Sequence, residues 1–346
     1  MSFVSRYRAG EWVEIRSKEE ILATLDQQGE LGGLPFMPEM LKFCGQRIQV
    51  FASAHKTCDT VNHTGGRRMR GAVHLGETRC DGSAHGGCQA QCLFFWKDEW
   101  LRPARAGAAA APPSQPAPTD DAGLGKFAST VREGESVPTY RCQATQLYAA
   151  TTALAPWNPR QYVADVRSGN VPARDAVKFL FLAFLFNLRK IGVGYQFAVR
   201  LHEWAHRKLI GRPAPYGRGR VPKGTQTPLI VADLRVGDVV EVKPHEEILE
   251  TLNARNHNRG MSFDKEMVRY CGQRFRIGDR VTRIINEQTG KMMEFSRPSF
   301  ILSGTYCTSQ YSERRMLCPR RIVQYWREAW LTKVGSAEQP TPPDAK

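Results

Sequence analysis

The feature that most constrains this chain is an internal repeat. GEWVEIRSKEEILATL at 10–25 corresponds to GDVVEVKPHEEILETL at 237–252, and the match runs ungapped to Val50 and Ile277 at a constant offset of 227 positions. It pairs Phe36 with Phe263, Glu39 with Glu266, Met40 with Met267, and Cys44-Gly45-Gln46-Arg47 with Cys271-Gly272-Gln273-Arg274. The ends match too: FWKDEWL at 95–101 against YWREAWL at 325–331. A fold built this way must use one supersecondary unit twice.

Each copy opens on an alternating Val-Glu-Val or Val-Glu-Ile run, the period of a half-buried strand. EEILATLDQ and EEILETLNA read as short helices, with Ser17 as N-cap of the first. FCGQRIQVFA and YCGQRFRIGDRV read as strands entered through a Cys-Gly turn. GAVHL, FILSGTY and the tryptophan-bearing segments, CLFFWKDEWL in copy one, complete the set. The expected fold class is α+β, with two homologous small SH3-like β-barrel domains flanking a central helical module. The expected domains are barrel repeat one at 1–103, an Ala/Pro-rich linker at 104–137, a helical module at 138–214, a basic connector at 215–231, barrel repeat two at 232–334 and a disordered tail at 335–346.

Charge is unevenly placed. The net +15 of the 346 residues resides mainly at 103–231, where 17 basic residues face 7 acidic ones. The cluster from Arg200 to Lys223, including YGRGRVPKGTQ, suits a protein or phosphate-bearing partner; nucleic acid is the less supported alternative. The one aromatic of YGRGRVPKGTQ, Tyr216, gives no stacking platform. The most apolar run, Phe179 to Phe186, is too short to span a bilayer and is flanked by Lys178 and Arg189. The N-terminus has no stretch like a signal peptide. The expected location is cytoplasmic, and the nine cysteines are expected as reduced or metal-bound thiols.

CDGSAHGGCQAQC, from Cys80 to Cys92, carries three cysteines on a glycine-rich loop, and Cys58 in HKTCD completes a quartet. Glycines let a backbone fold around a soft metal, and four thiolates satisfy a tetrahedral zinc site. An iron–sulfur cluster is the alternative. His74 and His85 are substitutes for one thiolate. The second copy keeps Cys307 and Cys318 opposite Cys80 and Cys88, but has Ile285 opposite Cys58 and Ile322 opposite Cys92. Paired loss suits ligands of one ion better than small core residues. Cys44 and Cys271 persist in both copies and read as structural. His202, Glu203 and His206 form an H-E-x-x-H string, the pattern of zinc peptidases. No third ligand follows at a suitable distance, so these residues are expected to lie on an amphipathic helix and not in a catalytic site.

LPFMPEMLKFCGQR, KTCD, RRMR, RCDGSAHGGCQAQC and FWKDEWL, with RVPKGTQTPL, YCGQRFRI and YWREAWL of the second half, resemble an uncharacterised bacterial family of tandem-repeat, cysteine-rich proteins. That family is loosely associated with polysaccharide or secondary-metabolite gene clusters. The resemblance implies a cysteine-rich first copy. The family's second copy carries a further cysteine where this chain has Ser299 or Phe300, so a second metal site is not implied. The expected role is a metal-binding accessory or scaffold protein centred on Cys58, Cys80, Cys88 and Cys92. The alternatives are a metal-dependent or redox enzyme using the same cysteines, and a nucleic-acid binder using the basic middle.

Overall fold

Alternation places Val13 and Ile15 in the core and leaves Trp12 exposed, which forms β1 (Trp12–Ile15). The computed structural model describes residues 4–104, 123–125, 129–130, 137–188, 195–312 and 314–334. Helix α1 (Lys18–Leu22) starts on a full capping box: Ser17 Oγ accepts the Glu20 N–H, and the Glu20 carboxylate accepts the Ser17 N–H at 2.9 Å. Gly45, at φ +77, makes the Cys-Gly turn. There follow β2 (Arg47–Ser53), β3 (Lys56–Cys58), β4 (Gly66–Arg68), β5 (Ala72–Leu75), β6 (Trp96–Lys97) and β7 (Leu101–Pro103). Five of these form an antiparallel sheet in the order β6-β5-β2-β1-β7.

The stretch 142–150, expected as helix, lies in turns instead. Cys142, Ala144 and Leu147 are buried in the core of the first copy, so packing overrides the helical spacing. Then β8 (Thr152–Leu154) pairs with β4 in a three-stranded sheet, β8-β4-β3. Helix α2 (Arg160–Arg167) is tied down by a buried polar knot: Lys56 Nζ lies 2.5 Å and His55 Nε2 3.2 Å from the Asp165 carboxylate. Asn170 makes two hydrogen bonds to the Ser53 backbone, each 2.8 Å. Helices α3 (Ala173–Leu188) and α4 (Tyr195–Ile210) share a small core of Leu182, Leu185 and Ala205.

The second copy has β9 (Val239–Val242), α5 (His245–Leu249), β10 (Arg274–Ile285), β11 (Met292–Tyr306), β12 (Val323–Trp326) and β13 (Leu331–Lys333). Its sheet order, β12-β11-β10-β9-β13, is that of the first copy strand for strand. The cores match as well. The Phe36 ring meets Trp96 and Trp100 edge-on, as Phe263 meets Trp326 and Trp330. Trp100 and Trp330 each donate to a threonine hydroxyl at 3.1 Å, that of Thr24 and of Thr251.

The expected SH3-like barrels are not found. Each five-stranded sheet is an open, linear array, and among the described residues no pairing joins its two outer strands. The fold is a mixture of several small antiparallel sheets and short helices. By contact the chain divides into two units. The first is 1–177 with 283–294 and 312–322; the second is 178–282 with 295–311 and 323–346. These units cross the domain boundaries expected from the sequence. Most of the expected linker, and the tail at 335–346, lie outside the described residues. No described helix is long and apolar enough to cross a membrane.

Candidate metal centre

The loop from Cys80 to Cys92 folds back on itself within the first unit. The Cys80 N–H donates to Cys92 O at 2.9 Å and closes its base. At its tip, Gly82 O accepts the His85 and Gly87 N–H groups at 3.1 and 2.9 Å. Gly82 has φ +73, and a Cβ there would lie 2.0 Å from Cys88 O. Only glycine permits this return, which sets Cys80, His85 and Cys88 face to face.

His85 is the hub. Its Nε2 lies 3.5 Å from Cys80 Sγ, and its ring also hydrogen-bonds the Cys88 thiol. Its Nδ1 lies 2.9 Å from Glu39 Oε1. Ligand atoms of Glu39, Cys80 and His85 all lie within 4.8 Å of one another, and all three residues are buried, so this group could hold a metal ion. Glu39 sits in the turn after LPFMP and also accepts the Ala84 N–H at 2.9 Å. Burial alone would raise its carboxyl, but His85 and the Ala84 N–H outweigh burial and hold it below the usual value. Burial works against a charged His85, yet Cys80, Cys88 and Glu39 together raise it strongly. Cys80 is raised by burial. For Cys88, burial is outweighed by His85 and by the N–H groups of Ile285 (3.3 Å) and Ala90, and the thiol is lowered.

A cavity of about 30 Å3 adjoins these groups, lined by Cys80, His85, Cys88, Cys92 and Cys142 among others. Burial raises both further thiols, but they differ in what offsets it. Cys142 has His85 nearby and receives N–H groups of Thr145 and Ala144. The Cys92 thiol has no comparable donors, and burial drives it far upward.

Cys58, expected as the fourth ligand, is not grouped with Cys80 and His85 among the described residues. Its thiol hydrogen-bonds that of Cys318, which with Arg320 beside it draws Cys58 down to about 6. Arg320 is buried, pairs with Glu287 at 3.1 Å and donates to Thr60 Oγ1 at 2.8 Å. His74 is fully buried, its ring 4.5 Å from that of Phe95 and tilted by 49°, with Nδ1 donating to Phe94 O at 2.9 Å. Burial lowers it to about 4. Cys44 and Cys271 sit at equivalent turns, their thiols pushed by burial to about 11 and about 12.

The second copy provides a control. Glu266, the counterpart of Glu39, is equally buried, but has no histidine. It accepts the Tyr311 N–H at 2.6 Å and the Thr308 hydroxyl at 2.8 Å, and burial raises it. The carboxylate therefore anchors the loop in both copies, and His85 is what distinguishes the first.

His202 and His206 lie on α4 in the second unit, with no third metal ligand grouped with them among the described residues. Both ring nitrogens of His206 are used: Nδ1 donates to Arg212 O at 2.7 Å, and Nε2 accepts from the Tyr311 hydroxyl at 2.9 Å. His202 Nδ1 shares a hydrogen bond with the Tyr216 hydroxyl, and Glu203 pairs with Arg207 at 2.9 Å. In the basic stretch Arg200 to Lys223, Arg220 is paired with Glu246 and Glu250, and Arg212 donates to Arg269 O.

Two members of the centre were not singled out from sequence. Glu39 had a signal, a carboxylate between apolar residues in both copies. Cys142 had none, since it lies outside the repeat. Comparison of the chain with protein-family models, with curated proteins and with solved structures finds no match.

Proposed function

We propose that the protein is a metal-binding accessory or scaffold protein with one buried zinc ion. Its ligands are Cys80, His85 through Nε2, Cys88 and Cys142. The observation that carries this is His85 held between a carboxylate on Nδ1, the Cys80 thiol on Nε2 and a further hydrogen bond to the Cys88 thiol. A carboxylate on the far nitrogen fixes the tautomer and aims the other nitrogen at a metal. His85 and N–H donors favour the Cys88 thiolate that zinc requires, whereas at Cys142 they only partly offset the burial that raises its thiol.

The cavity supports a single ion over an iron–sulfur cluster. At about 30 Å3 it has the volume that one water occupies in the liquid. Four protein donors leave no position for a reacting water, which favours a structural over a catalytic centre. The nine free cysteines suit a reducing compartment such as the cytoplasm. The bound ion would supply cross-linking of the loop at 80–92 to the stretch at 142–145; this chain's residues supply the orientation and the exclusion of water.

The test is elemental analysis of anaerobically purified protein, followed by cobalt substitution. One equivalent of zinc and a thiolate-to-cobalt absorption band lost in Cys88→Ser and Cys142→Ser, but kept in Cys58→Ser, is the expected result. Iron with acid-labile sulfide, or loss of the band in Cys58→Ser alone, would overturn it.

A further inference from the structure

Several surface arginines are paired: Arg16 meets Glu20, Arg102 meets Glu14, and Arg141 meets Glu30. One group of unpaired arginines is gathered around a cavity. A cavity of about 730 Å3 in the first unit lies between the segment entering β1 and helix α2, and four arginines line it: Arg6, Arg8, Arg160 and Arg167. Among the described residues, no carboxylate lines it. Arg6 is committed to the backbone, donating to Asp98 O at 2.5 Å and to Leu101 O at 3.2 Å. The guanidinium groups of Arg8, Arg160 and Arg167 have no ion pair among the described residues.

The helix explains the convergence. Arg160 and Arg167 are seven apart, close to two full turns, and so rise from one face of α2. Between them on that face stand Val163 and Ala164, an apolar floor. The opposite wall is fixed in place, because the Ala9 N–H donates to Ser168 O at 2.8 Å and Ser5 Oγ donates to Asp98 at 2.5 Å. The arginines are therefore presented by two tethered elements and not by a free tail.

We infer that this cavity binds a small phosphate ester of nucleoside-diphosphate size. Guanidinium forks match phosphate oxygens two at a time, and three unpaired forks around one concavity leave charge that a di-anion or tri-anion neutralises. The volume lies in the range of small-molecule sites, and the apolar floor can receive a ring. A flat basic surface would suit a polymer; this half-open concavity has room for a compact ligand. The site is separate from the metal centre and stands whether or not zinc is bound.

The experiment is calorimetric titration of the full, metal-loaded chain with ADP, inorganic pyrophosphate and adenosine, without magnesium, at about 150 mM salt where remote charge is screened. ADP is expected to bind saturably at one site, pyrophosphate more weakly, and adenosine not at all. The Arg160→Ala/Arg167→Ala pair is expected to weaken ADP at least tenfold, whereas Arg102→Ala, outside the cavity, leaves it unchanged. Both changes are at exposed positions, and a circular dichroism melt checks that the fold persists. The inference is overturned if neither ADP nor pyrophosphate saturates, or if the double variant binds ADP as well as the parent. It is also overturned if a single-stranded oligonucleotide binds more tightly than ADP, which would make the arginines part of a polymer-binding surface.

Discussion

The two copies allow one substitution to be judged against its twin. Glu39→Gln and Glu266→Gln remove the same buried carboxylate from the same place in two sheets of identical order. In the first copy the carboxylate faces His85 Nδ1 at 2.9 Å; in the second it faces the backbone N–H groups of Tyr311 and Gln310 and the Thr308 hydroxyl. If His85 is a ligand, Glu39 fixes its tautomer, and loss of such a partner weakens metal binding about 10–100-fold, roughly 1.4–2.7 kcal/mol. Glutamine keeps an acceptor oxygen, so the loss reflects charge and orientation more than an empty space. Glu266→Gln should leave metal affinity unchanged. Its stability cost should stay within about 1 kcal/mol, because glutamine can accept the Tyr311 N–H and the Thr308 hydroxyl can turn. The assay is zinc competition against a chromophoric chelator, with urea unfolding of the same samples. Equal weakening by both variants, or a Glu39→Gln affinity within twofold of the parent, would refute the assignment of His85.

The pH dependence of the same control carries a sign. Glu266 is raised by burial, so its contribution to stability is complete below the unfolded value near 4.5 and is lost as pH rises through its higher folded value; Glu266→Gln should abolish that loss in urea curves taken from pH 4 to 7. His74 runs the other way. With a folded value of about 4 against 6.5 unfolded, its contribution is present above 6.5 and falls away as pH drops toward 4, by about 3 kcal/mol in all, and His74→Phe should flatten this part of the curve. Replacing His202 and His206 with alanine should leave zinc content at one equivalent while lowering stability by about 1–3 kcal/mol through the buried polar partners left behind; loss of zinc would make α4 the centre. Gly82→Ala should unseat the loop and release zinc, since its Cβ would overlap Cys88 O; unchanged zinc affinity would mean that the loop conformation is not what assembles the ligands.

The strands and the duplicated architecture were legible because their signals are local. Val13 and Ile15 alternate with polar residues, Ser17 and Glu20 spell a capping box three apart, and the offset of 227 positions ties each element to a twin. Closure of a sheet into a barrel has no such local signature. It depends on whether the outer strands meet, and the chain's alternation is the same in either case. The loop at 80–92 was legible in kind, from its glycines and thiols. Its partners were not, because Cys142 lies fifty positions beyond Cys92 in a stretch whose spacing mimics a helix. Cys58 misled for the reverse reason. It is close in sequence to the loop but is turned toward Cys318, 260 positions away.

The first unit borrows 283–294 and 312–322 from far down the chain, and that arrangement sets a clock on biosynthesis. Lys56 waits for the carbonyl of Met316, and Thr60 waits for Arg320. When residue 177 leaves the ribosome, Lys56 has Asp165 to pair with but not its second partner. At about 5–20 residues per second, the missing segments arrive roughly five to thirty seconds later. Until then, the first unit has its strands but lacks the partners of Lys56, Thr60 and Cys88, and a nascent chain stalled in this interval is the form a chaperone or a protease would meet.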